Sequence, residues 1–341
     1  MYKYAIIGFG GLGKLQLGNL LALETERRDI KLVALCGADP NTFTSNVKIN
    51  LGTVDVSSFD FSDVAFYQDY KELIEKEAPD FIISTLPTYL HEEVAIFALE
   101  HGAHVFSEKP MALSLEACDR MIEAAEKNDR RLMIGHALRF DPAYAKIKEY
   151  IDTGRYGRPY RAEFSRYSAT PTWTWKNWIL DPEQSGGCAI DMHVHDVDLV
   201  HWYFGIPDSL RSVSTEVKTK AESIFTQYFY EDLFVTTSAD WSMCSTFPFE
   251  ARAIVNFEQA TAVIKDGQLR VYCDGETVTP DLGDVTCYMN EMRAFVEWVV
   301  DGKPCEIISP EEIRDTMDIA FAEVESAKGD LIVYYEEECE E

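Results

Sequence analysis

Short, mostly apolar runs alternate with longer amphipathic segments along the first part of the chain. Residues 4–7, 31–35, 81–84, 103–106 and 132–134 form such runs and predict buried strands. Helical spacing between the runs predicts helices over residues 12–24, 92–101 and 114–128. Strands that alternate with helices in this way are typical of the α/β class, so we expect a doubly wound parallel sheet with helices on both faces.

The pattern changes after residue 152. Residues 160–167, 222–230, 233–241, 250–257, 260–265 and 268–273 predict strands with few helices between them, and Asp266-Gly267 and Asp274-Gly275 are tight-turn signals. Helices are predicted over residues 192–204, 289–300 and 310–327. The sequence therefore predicts a Rossmann-type domain over residues 1–137. It predicts an α+β domain with an open, mostly antiparallel sheet over residues 138–341, whose helix near 310–327 is a candidate to pack back on the first domain.

One segment interrupts the early alternation. Residues 40–66 are polar and longer than a usual connection, which leaves two interpretations, a cofactor-side loop or an insertion. The six C-terminal residues, 336–341, are mostly glutamate and are expected to be a solvated end.

Charge and cysteine usage exclude several classes of partner. The formal net charge of −28 predicts a surface that repels nucleic acid and anionic membranes, so neither is expected as a partner. Eight scattered cysteines without a C-x-x-C pair are typical of reduced thiols. No membrane-length apolar stretch and no signal-peptide pattern is evident, which favours a cytoplasmic protein.

A glycine-rich turn joins the first predicted strand to the first helix. It reads Gly8-Phe9-Gly10-Gly11-Leu12-Gly13 and fits the G-x-G-x-x-G pattern in its required context. The first glycine permits the tight turn, the second lets the backbone approach a pyrophosphate, and the third allows close helix–strand packing. Because the surface is acidic, an anionic cofactor needs a local positive potential, which the free backbone amides at the helix amino end supply. The turn therefore predicts a site for NAD or NADP.

The end of the second strand bears on the choice between the two dinucleotides. An acidic residue that binds the ribose diol is usual there, but Gly37 stands at that position and Asp39 follows two residues later. Gly37 leaves room for a 2′-phosphate, whereas Asp39 would repel one. The sequence leaves the choice between NAD and NADP open and slightly favours NAD.

Two further places carry candidate acid–base chemistry. Lys109 follows the strand at 103–106, where the carboxyl ends of strands face the ligand crevice. Asp191 and His195 are four residues apart and are predicted to share a helix face, continued by Asp198 and Trp202. A zinc site built from Cys188, His193, His195 and His201 is a weaker alternative, because His193 and His195 would point to different helix faces. No metal is expected.

Five motifs, in their order and spacing, resemble those of the glucose–fructose oxidoreductase / inositol dehydrogenase / MocA family of NAD(P)-dependent oxidoreductases. They are the glycine turn, Thr85-Leu86-Pro87-Thr88 with His91, Glu108-Lys109-Pro110, Gly135-His136 with Arg139-Phe140, and Gly186-Gly187 followed by Asp191-Met192-His193-Val194-His195-Asp196. The resemblance covers about residues 2–330. Gly37 departs from the family pattern and leaves cofactor preference in doubt.

The resemblance implies hydride transfer between a nicotinamide and a small sugar, cyclitol or related polyol. It implies that Lys109 and His195 are catalytic, with Asp191 in support, and that Thr85, Leu86, Pro87, His91 and Glu108 line the nicotinamide side. It also implies a homodimer or homotetramer formed through the C-terminal sheet. On this basis His195 would exchange the proton of the reacting hydroxyl, Lys109 would polarise its oxygen, and Asp191 would orient the substrate.

The substrate pocket is harder to specify. Arg139, Tyr167 and Trp175 are candidate substrate contacts, and Trp173, Trp175 and Trp178 form either an apolar wall for a sugar ring or a packed aromatic cluster. Two other functions remain open. The chain would be an NAD(P)-binding regulator without turnover, or a glycoside hydrolase that retains NAD.

Overall fold

The computed structural model describes residues 1–40, 43, 47–49, 52–54, 56, 59–217, 219 and 222–335. Two compact units are present. The first comprises Met1–Ala137 and Cys287–Arg314, and the second comprises Leu138–Thr286 and Asp315–Glu341. The predicted tail and Cys339 lie outside the described residues, as does part of the 40–66 segment.

The first unit is built on a six-stranded parallel sheet in the order β5-β2-β1-β6-β7-β8. Its elements are β1 (Tyr2–Ile7), α1 (Gly11–Arg27), β2 (Ile30–Cys36), the hairpin β3 (Val47–Ile49) and β4 (Gly52–Val54), β5 (Ala65–Tyr67), α2 (Tyr70–Glu77), β6 (Phe81–Ser84), α3 (His91–Glu100), β7 (His104–Glu108), α4 (Leu115–Lys127) and β8 (Leu132–Gly135). The central strands β1 and β6 and the edge strand β8 are almost wholly buried, as the apolar runs require. The predicted parallel sheet is confirmed.

Local chemistry sets where the helices of this unit begin. The side chain of Asp69 accepts a hydrogen bond from the Lys71 amide at the start of α2. Ser114 accepts one from the Ala117 amide at the start of α4. Helix α1 differs, because Gly10 precedes it and no side chain caps its first amides. The strand order places a change of direction between β1 and β6, where doubly wound sheets bind ligands.

The second unit is built on a nine-stranded sheet in the order β16-β15-β14-β13-β9-β12-β11-β10-β17. Its strands are β9 (Pro159–Ala169), β10 (Ser209–Thr215), β11 (Ser223–Phe229), β12 (Phe234–Met243), β13 (Glu250–Phe257), β14 (Ala260–Lys265), β15 (Gln268–Cys273), β16 (Glu276–Val278) and β17 (Ile332–Tyr334). All neighbours pair antiparallel except β9 and β12, which run parallel. The predicted open, mostly antiparallel sheet is confirmed.

Helices complete both units. They are α5 (Pro142–Thr153), α6 (Pro182–Ser185), α7 (Gly187–Asp191), α8 (Val194–Phe204), α9 (Cys287–Asp301) and α10 (Pro310–Gly329). Helix α5 was not predicted, although Asp141 caps it and Pro142 occupies its first position. The helix predicted over residues 192–204 begins at Val194.

The second half of the chain is not one continuous domain as predicted. Residues 287–314 belong to the first unit, because Phe295 of α9 packs against Phe81 and Phe106 at ring-centroid distances of 5.8 and 5.7 Å. Arg131 also donates to the carbonyl oxygens of Trp298 and Val299. Helix α10 begins in the first unit and continues in the second from Asp315.

Candidate functional site

The glycine turn has the geometry of a pyrophosphate cradle. Gly8 has φ +95°, and a Cβ there would lie 2.7 Å from the Thr85 carbonyl group. A Cβ on Gly13 would lie 2.7 Å from the Gly8 carbonyl oxygen and 2.9 Å from Thr85 Oγ1. Gly10, by contrast, is exposed, and its nearest neighbour to a Cβ would be 4.0 Å away. The tight packing of the turn therefore requires glycine at positions 8 and 13. At position 10, glycine leaves the backbone accessible to a ligand.

The amino end of α1 supplies positive potential to this cradle. Its first-turn amides, those of Gly11, Leu12 and Gly13, have no earlier helical carbonyl to bond, and its first turn carries no acidic residue. A helix amino end with these properties attracts phosphate. Lys14 follows the loop directly, is fully buried, and lies with its Nζ 5.6 Å from the Phe9 ring centroid. Burial lowers the pKa of Lys14. The residues present fit a dinucleotide.

The position expected to bind ribose is bordered by aromatic rings. Gly37 follows β2 and donates its amide to the Tyr67 carbonyl oxygen at 3.1 Å. A Cβ on Gly37 would approach the Phe43 ring at 3.2 Å and the Phe9 Cβ at 3.6 Å. Asp39 is exposed, beyond this packed turn. Aromatic packing thus explains a glycine at position 37, and Asp39 is the acidic group that follows it.

His91 joins two of the predicted nicotinamide-side segments. It is buried, with Nδ1 2.8 Å from the Pro110 carbonyl oxygen and Nε2 2.9 Å from the Leu86 carbonyl oxygen. Pro87 precedes the short turn that leads into α3, at whose start His91 lies. Both ring nitrogens of His91 are engaged by backbone within the protein, so the residue holds the two segments together.

Lys109 stands at the carboxyl end of β7 and is half-buried. The preceding Glu108 is buried, and the Gln16 side-chain amide donates to Glu108 Oε1 at 3.4 Å and to Glu291 Oε1 at 3.1 Å. Burial and the neighbouring Glu108 raise the pKa of Glu291 well above its ordinary value. The raised pKa favours the protonated form of Glu291 beside the segment that carries Lys109. Sequence reasoning missed Gln16, Glu291 and Lys14.

In the second unit, Asp191 and His195 flank a break between two helices. Asp191 is the last residue of α7, and His195 lies in the first turn of α8. Met192 and His193 separate the helices. Both keep right-handed helical backbone angles, but the His193 amide donates to the Cys188 carbonyl oxygen five residues back, so the hydrogen-bond pattern of a single helix is interrupted there. The shared face of Asp191 and His195 stays a prediction. Asp191 is buried, whereas His195 is half-buried.

Arg139 has a different environment from the one predicted. Its side chain is 1% exposed and forms three hydrogen bonds of 2.9–3.1 Å with Asp198. Thr316 also donates to Asp198 Oδ1 at 3.2 Å. The predicted substrate contact is corrected here: Arg139 is an internal ion-pair partner, and Asp198 serves that pair rather than a catalytic stripe with Asp191.

Tyr167 points away from the helices that carry Asp191 and His195. Side chains alternate along β9, and its neighbour Arg166 bonds Asp196 of α8 at 3.0 and 3.1 Å. Tyr167 consequently lies on the opposite face of the sheet, where its hydroxyl is 2.6 Å from Ser238 Oγ. The structure does not bring Tyr167 together with Asp191 or His195.

The tryptophan-rich loop contains residues of both predicted kinds. Trp178 packs against the buried cluster that includes Cys188 and Trp241. Trp173 and Trp175 are 55% and 52% exposed, and the Lys176 Nζ lies 4.2 Å from the Trp175 ring centroid. The two alternatives for this loop therefore apply to different residues, with Trp178 structural and Trp173 and Trp175 available to a ligand.

The alternative zinc site finds no support. Within the described part of the chain, no group of three or more histidine, cysteine or acidic side chains is arranged to hold a metal. Cys188 is buried in the apolar cluster, and His201 Nδ1 lies 2.9 Å from Thr316 Oγ1. The seven described cysteines are free thiols.

No helix among the described residues is long and apolar enough to cross a membrane.

A parallel sheet with this glycine cradle, followed by a mostly antiparallel sheet, defines a class of two-domain dinucleotide-binding proteins. Residues 2–136 match the family model for an oxidoreductase family with an NAD-binding Rossmann fold, and residues 144–279 match that of the GFO/IDH/MocA C-terminal domain. The chain belongs to the glucose–fructose oxidoreductase / inositol dehydrogenase / MocA family.

Individual proteins agree with this assignment. The chain is 29% identical over 202 residues to an inositol 2-dehydrogenase of Salmonella paratyphi B, covering 59% of this chain and 54% of that protein. It is 31% identical over 204 residues to a scyllo-inositol 2-dehydrogenase (NAD(+)) of Bacillus subtilis, covering 60% and 54%. The chain thus spans about half the length of the curated relatives it matches.

The fold also resembles solved structures over its whole length. A levoglucosan dehydrogenase in complex with NADH and levoglucosan superimposes with a TM-score of 0.83 at 18% identity, covering 98% of this chain and 100% of that one. This likeness supports the fold of both units.

Proposed function

We propose that this protein is an NAD(P)-dependent oxidoreductase that transfers a hydride between the nicotinamide and a secondary alcohol or carbonyl of a small polyhydroxylated substrate. The observation that carries the proposal is the glycine cradle, in which Gly8 and Gly13 close the turn and Gly10 stays open to a pyrophosphate. Relatives named inositol 2-dehydrogenase and a structural neighbour solved with NADH and levoglucosan support the reaction and the substrate class.

The cofactor, when bound, supplies the hydride acceptor or donor. Lys109 supplies a cation at the carboxyl end of β7, where its ammonium group donates a hydrogen bond to a substrate oxygen. Its position is set on one side by the buried Glu108 with Gln16 and Glu291, and on the other by His91, which engages Pro110. These contacts keep the lysine backbone fixed while its side chain stays accessible.

His195 and Asp191 are the proposed groups of the second unit. The half-buried imidazole of His195 takes up or gives back the proton of the reacting hydroxyl, because histidine titrates near neutral pH. Asp191 accepts a hydrogen bond from a substrate hydroxyl and orients it. Trp175, half-exposed on its loop, offers an apolar face to a sugar ring.

Cofactor titration with turnover assays tests this proposal. NADH and NADPH would be added separately while energy transfer from tryptophan is followed, and a polyol and sugar panel would be assayed at the NADH absorbance. We expect saturable binding, turnover of at least one polyol, and loss of about 10²- to 10⁴-fold in kcat for Lys109→Ala and for His195→Ala. If the two residues serve one chemical step, the double variant loses little more than either single variant.

The remaining functions have distinct outcomes in the same experiment. Binding without turnover on any substrate would indicate a regulator. Tight retention of NAD through purification, with glycoside cleavage and no net NADH, would indicate a hydrolase. Absence of binding by either dinucleotide would contradict the central proposal.

We also propose a preference for NAD over NADP. Asp39 is the acidic group beyond β2, and the aromatic rings of Phe9 and Phe43 occupy space beside Gly37. A 2′-phosphate would meet a carboxylate and no placed cation among the described residues of this turn. Asp39→Asn should lower the ratio of the NADPH dissociation constant to the NADH dissociation constant. An unchanged ratio would contradict a role for Asp39.

Self-association through the second sheet is the proposed assembly, as a homodimer or homotetramer in the cytoplasm. One face of this sheet, here called the open face, carries exposed apolar side chains from four strands. They are Val213, Phe225, Phe229, Phe234 and Tyr272. Phe229 and Phe234 lie directly opposite each other on β11 and β12. Exposed apolar residues spread over one face are typical of an interface between subunits.

A further inference from the structure

His193 lies at the break between α7 and α8, midway between Asp191 and His195. It is fully buried. Its Nε2 atom is 3.1 Å from Thr237 Oγ1 of β12 and 3.3 Å from Glu323 Oε2 of α10. The reaction proposed above makes no use of this histidine.

Each ring nitrogen of His193 faces a carboxylate. Nδ1 lies 3.8 Å from Asp196 Oδ2, and Nε2 faces Glu323 as described. Ionised carboxylate oxygens only accept hydrogen bonds, whereas a neutral imidazole has one nitrogen that also only accepts. A neutral ring would therefore set a lone pair toward one of the two carboxylates, whereas a doubly protonated ring places positive charge beside both of them.

Charge balance leads to the same state. Asp196 is paired with Arg166 of β9, and Glu323 accepts a hydrogen bond from the Tyr228 hydroxyl of β11. The buried carboxylates of Asp196 and Glu323 thus face one arginine cation, so a proton on His193 makes the cluster neutral. An uncompensated charge at such depth is strongly destabilising.

The protonation of His193 is consistent with its surroundings. Burial by itself lowers the pKa of His193, but Glu323 and Asp196 outweigh burial and raise the pKa to about 9. Arg166 and His193 hold the pKa of Asp196 below its usual range, although burial opposes them. Tyr144, from α5, borders Arg166 and stays neutral, because burial raises its pKa to about 12.

We infer that His193 is a positioning residue: as a buried imidazolium held between Asp196 and Glu323, it fixes the break between α7 and α8 and so the placement of His195 relative to Asp191. The charge state of His193 stands on the cluster alone, whereas its consequence for turnover rests on the proposed function. Thr237 and Glu323 anchor this break to the sheet and to α10.

Nuclear magnetic resonance of the full chain labelled with ¹⁵N-histidine tests the charge state without any substrate. The signals of His193 are identified as those missing from the His193→Gln variant. We expect both ring nitrogens to be protonated at pH 8, with deprotonation centred near pH 9. A neutral ring at pH 8, with its proton on Glu323 instead, would overturn the inference.

A charge-rescue set tests positioning. His193→Gln leaves two carboxylates against one cation, and we expect a fall of about 10- to 100-fold in kcat with a small change in KM. His193→Gln combined with Glu323→Gln restores neutrality and should recover most of kcat and of thermal stability. The control is Glu325→Gln, an exposed residue two positions along α10, which should behave as wild type.

The titration of His195 gives a second readout that needs no activity. Its midpoint should shift in His193→Gln and return toward the wild-type value in the double variant. If the double variant is no better than His193→Gln in stability and in the His195 midpoint, the inference fails. If the wild type turns over no substrate at all, the proposed function fails, and the spectra still decide the role of His193.

Discussion

Gly13 and Gly18 lie in the same helix but in opposite surroundings. A Cβ at Gly13 would meet the Gly8 carbonyl oxygen at 2.7 Å, whereas a Cβ at Gly18 would meet nothing within 4 Å. The first contact is with backbone, which cannot rotate away as a long side chain would. The close approach of α1 to β1 therefore depends on the absence of one methyl group at Gly13.

Gly13→Ala should weaken NADH binding by at least about tenfold, because the loop must shift from the pyrophosphate position. Gly18→Ala is the matched control, and it should stabilise the protein by about 0.5–1 kcal/mol while leaving binding unchanged. Fluorescence titration and thermal unfolding check both variants. Equal binding by the two variants would show that the Gly13 contact does not shape the cradle.

Glu291 makes a second prediction at the residue scale. Its pKa is raised in the folded protein, so the native state holds this proton more tightly than the unfolded chain does. The contribution of Glu291 to stability is present below the unfolded glutamate pKa and declines as pH rises toward the folded pKa. Glu291→Gln mimics the neutral acid and still accepts from Gln16.

The free energy of unfolding of Glu291→Gln should therefore rise relative to that of the wild type as pH increases from 4 to 8. Urea unfolding across this range measures the difference. A constant difference at every pH would show that Glu291 does not titrate with a raised pKa. Glu297→Gln, on the same helix but partly exposed, is the control for a lost charge.

At the scale of elements, α8 is held to its neighbours by ion pairs on two sides. Asp198 pairs with Arg139, and Asp196 pairs with Arg166. Both pairs are almost fully buried. Because buried charges are costly when one partner is removed, these pairs fix which face of α8 turns inward.

Arg139→Met should destabilise the second unit by about 3–5 kcal/mol, because Asp198 is left buried and unpaired. Adding Asp198→Leu should recover much of that loss. Denaturant unfolding measures both variants, and KM is measured beside it. A raised KM with unchanged stability would instead restore Arg139 as a substrate contact.

The sequence predicts elements whose signal is local. The glycine turn and the apolar strands depend on neighbouring residues, and the structure agrees with them. The side of the sheet on which Tyr167 lies could also have been predicted, because Ala162 and Phe164 alternate inward. The charged Arg166 on that inward face obscured the alternation. The pairing of Gln16 with Glu291 spans 275 residues and has no local signal.

At the scale of the whole molecule, the open face of the second sheet determines assembly under the proposal above. Phe225→Glu places a charge among Phe229, Phe234 and their neighbours, and it should convert the oligomer to smaller species. Ile206→Glu, at an exposed turn after α8, is the control. Sedimentation velocity checks both variants, and unchanged sedimentation of Phe225→Glu would contradict an interface on this face.

The return of residues 287–314 to the first unit affects how the protein is made. A ribosome releases β1 to β8 long before Phe295, which covers Phe81 and Phe106. Until α9 emerges, Phe81 and Phe106 lack the aromatic ring that packs against them, and the first unit is complete only once residue 314 of the 341 has been made. Synthesis therefore cannot finish the two units one after the other, and an N-terminal fragment ending at residue 137 would expose this apolar surface and aggregate.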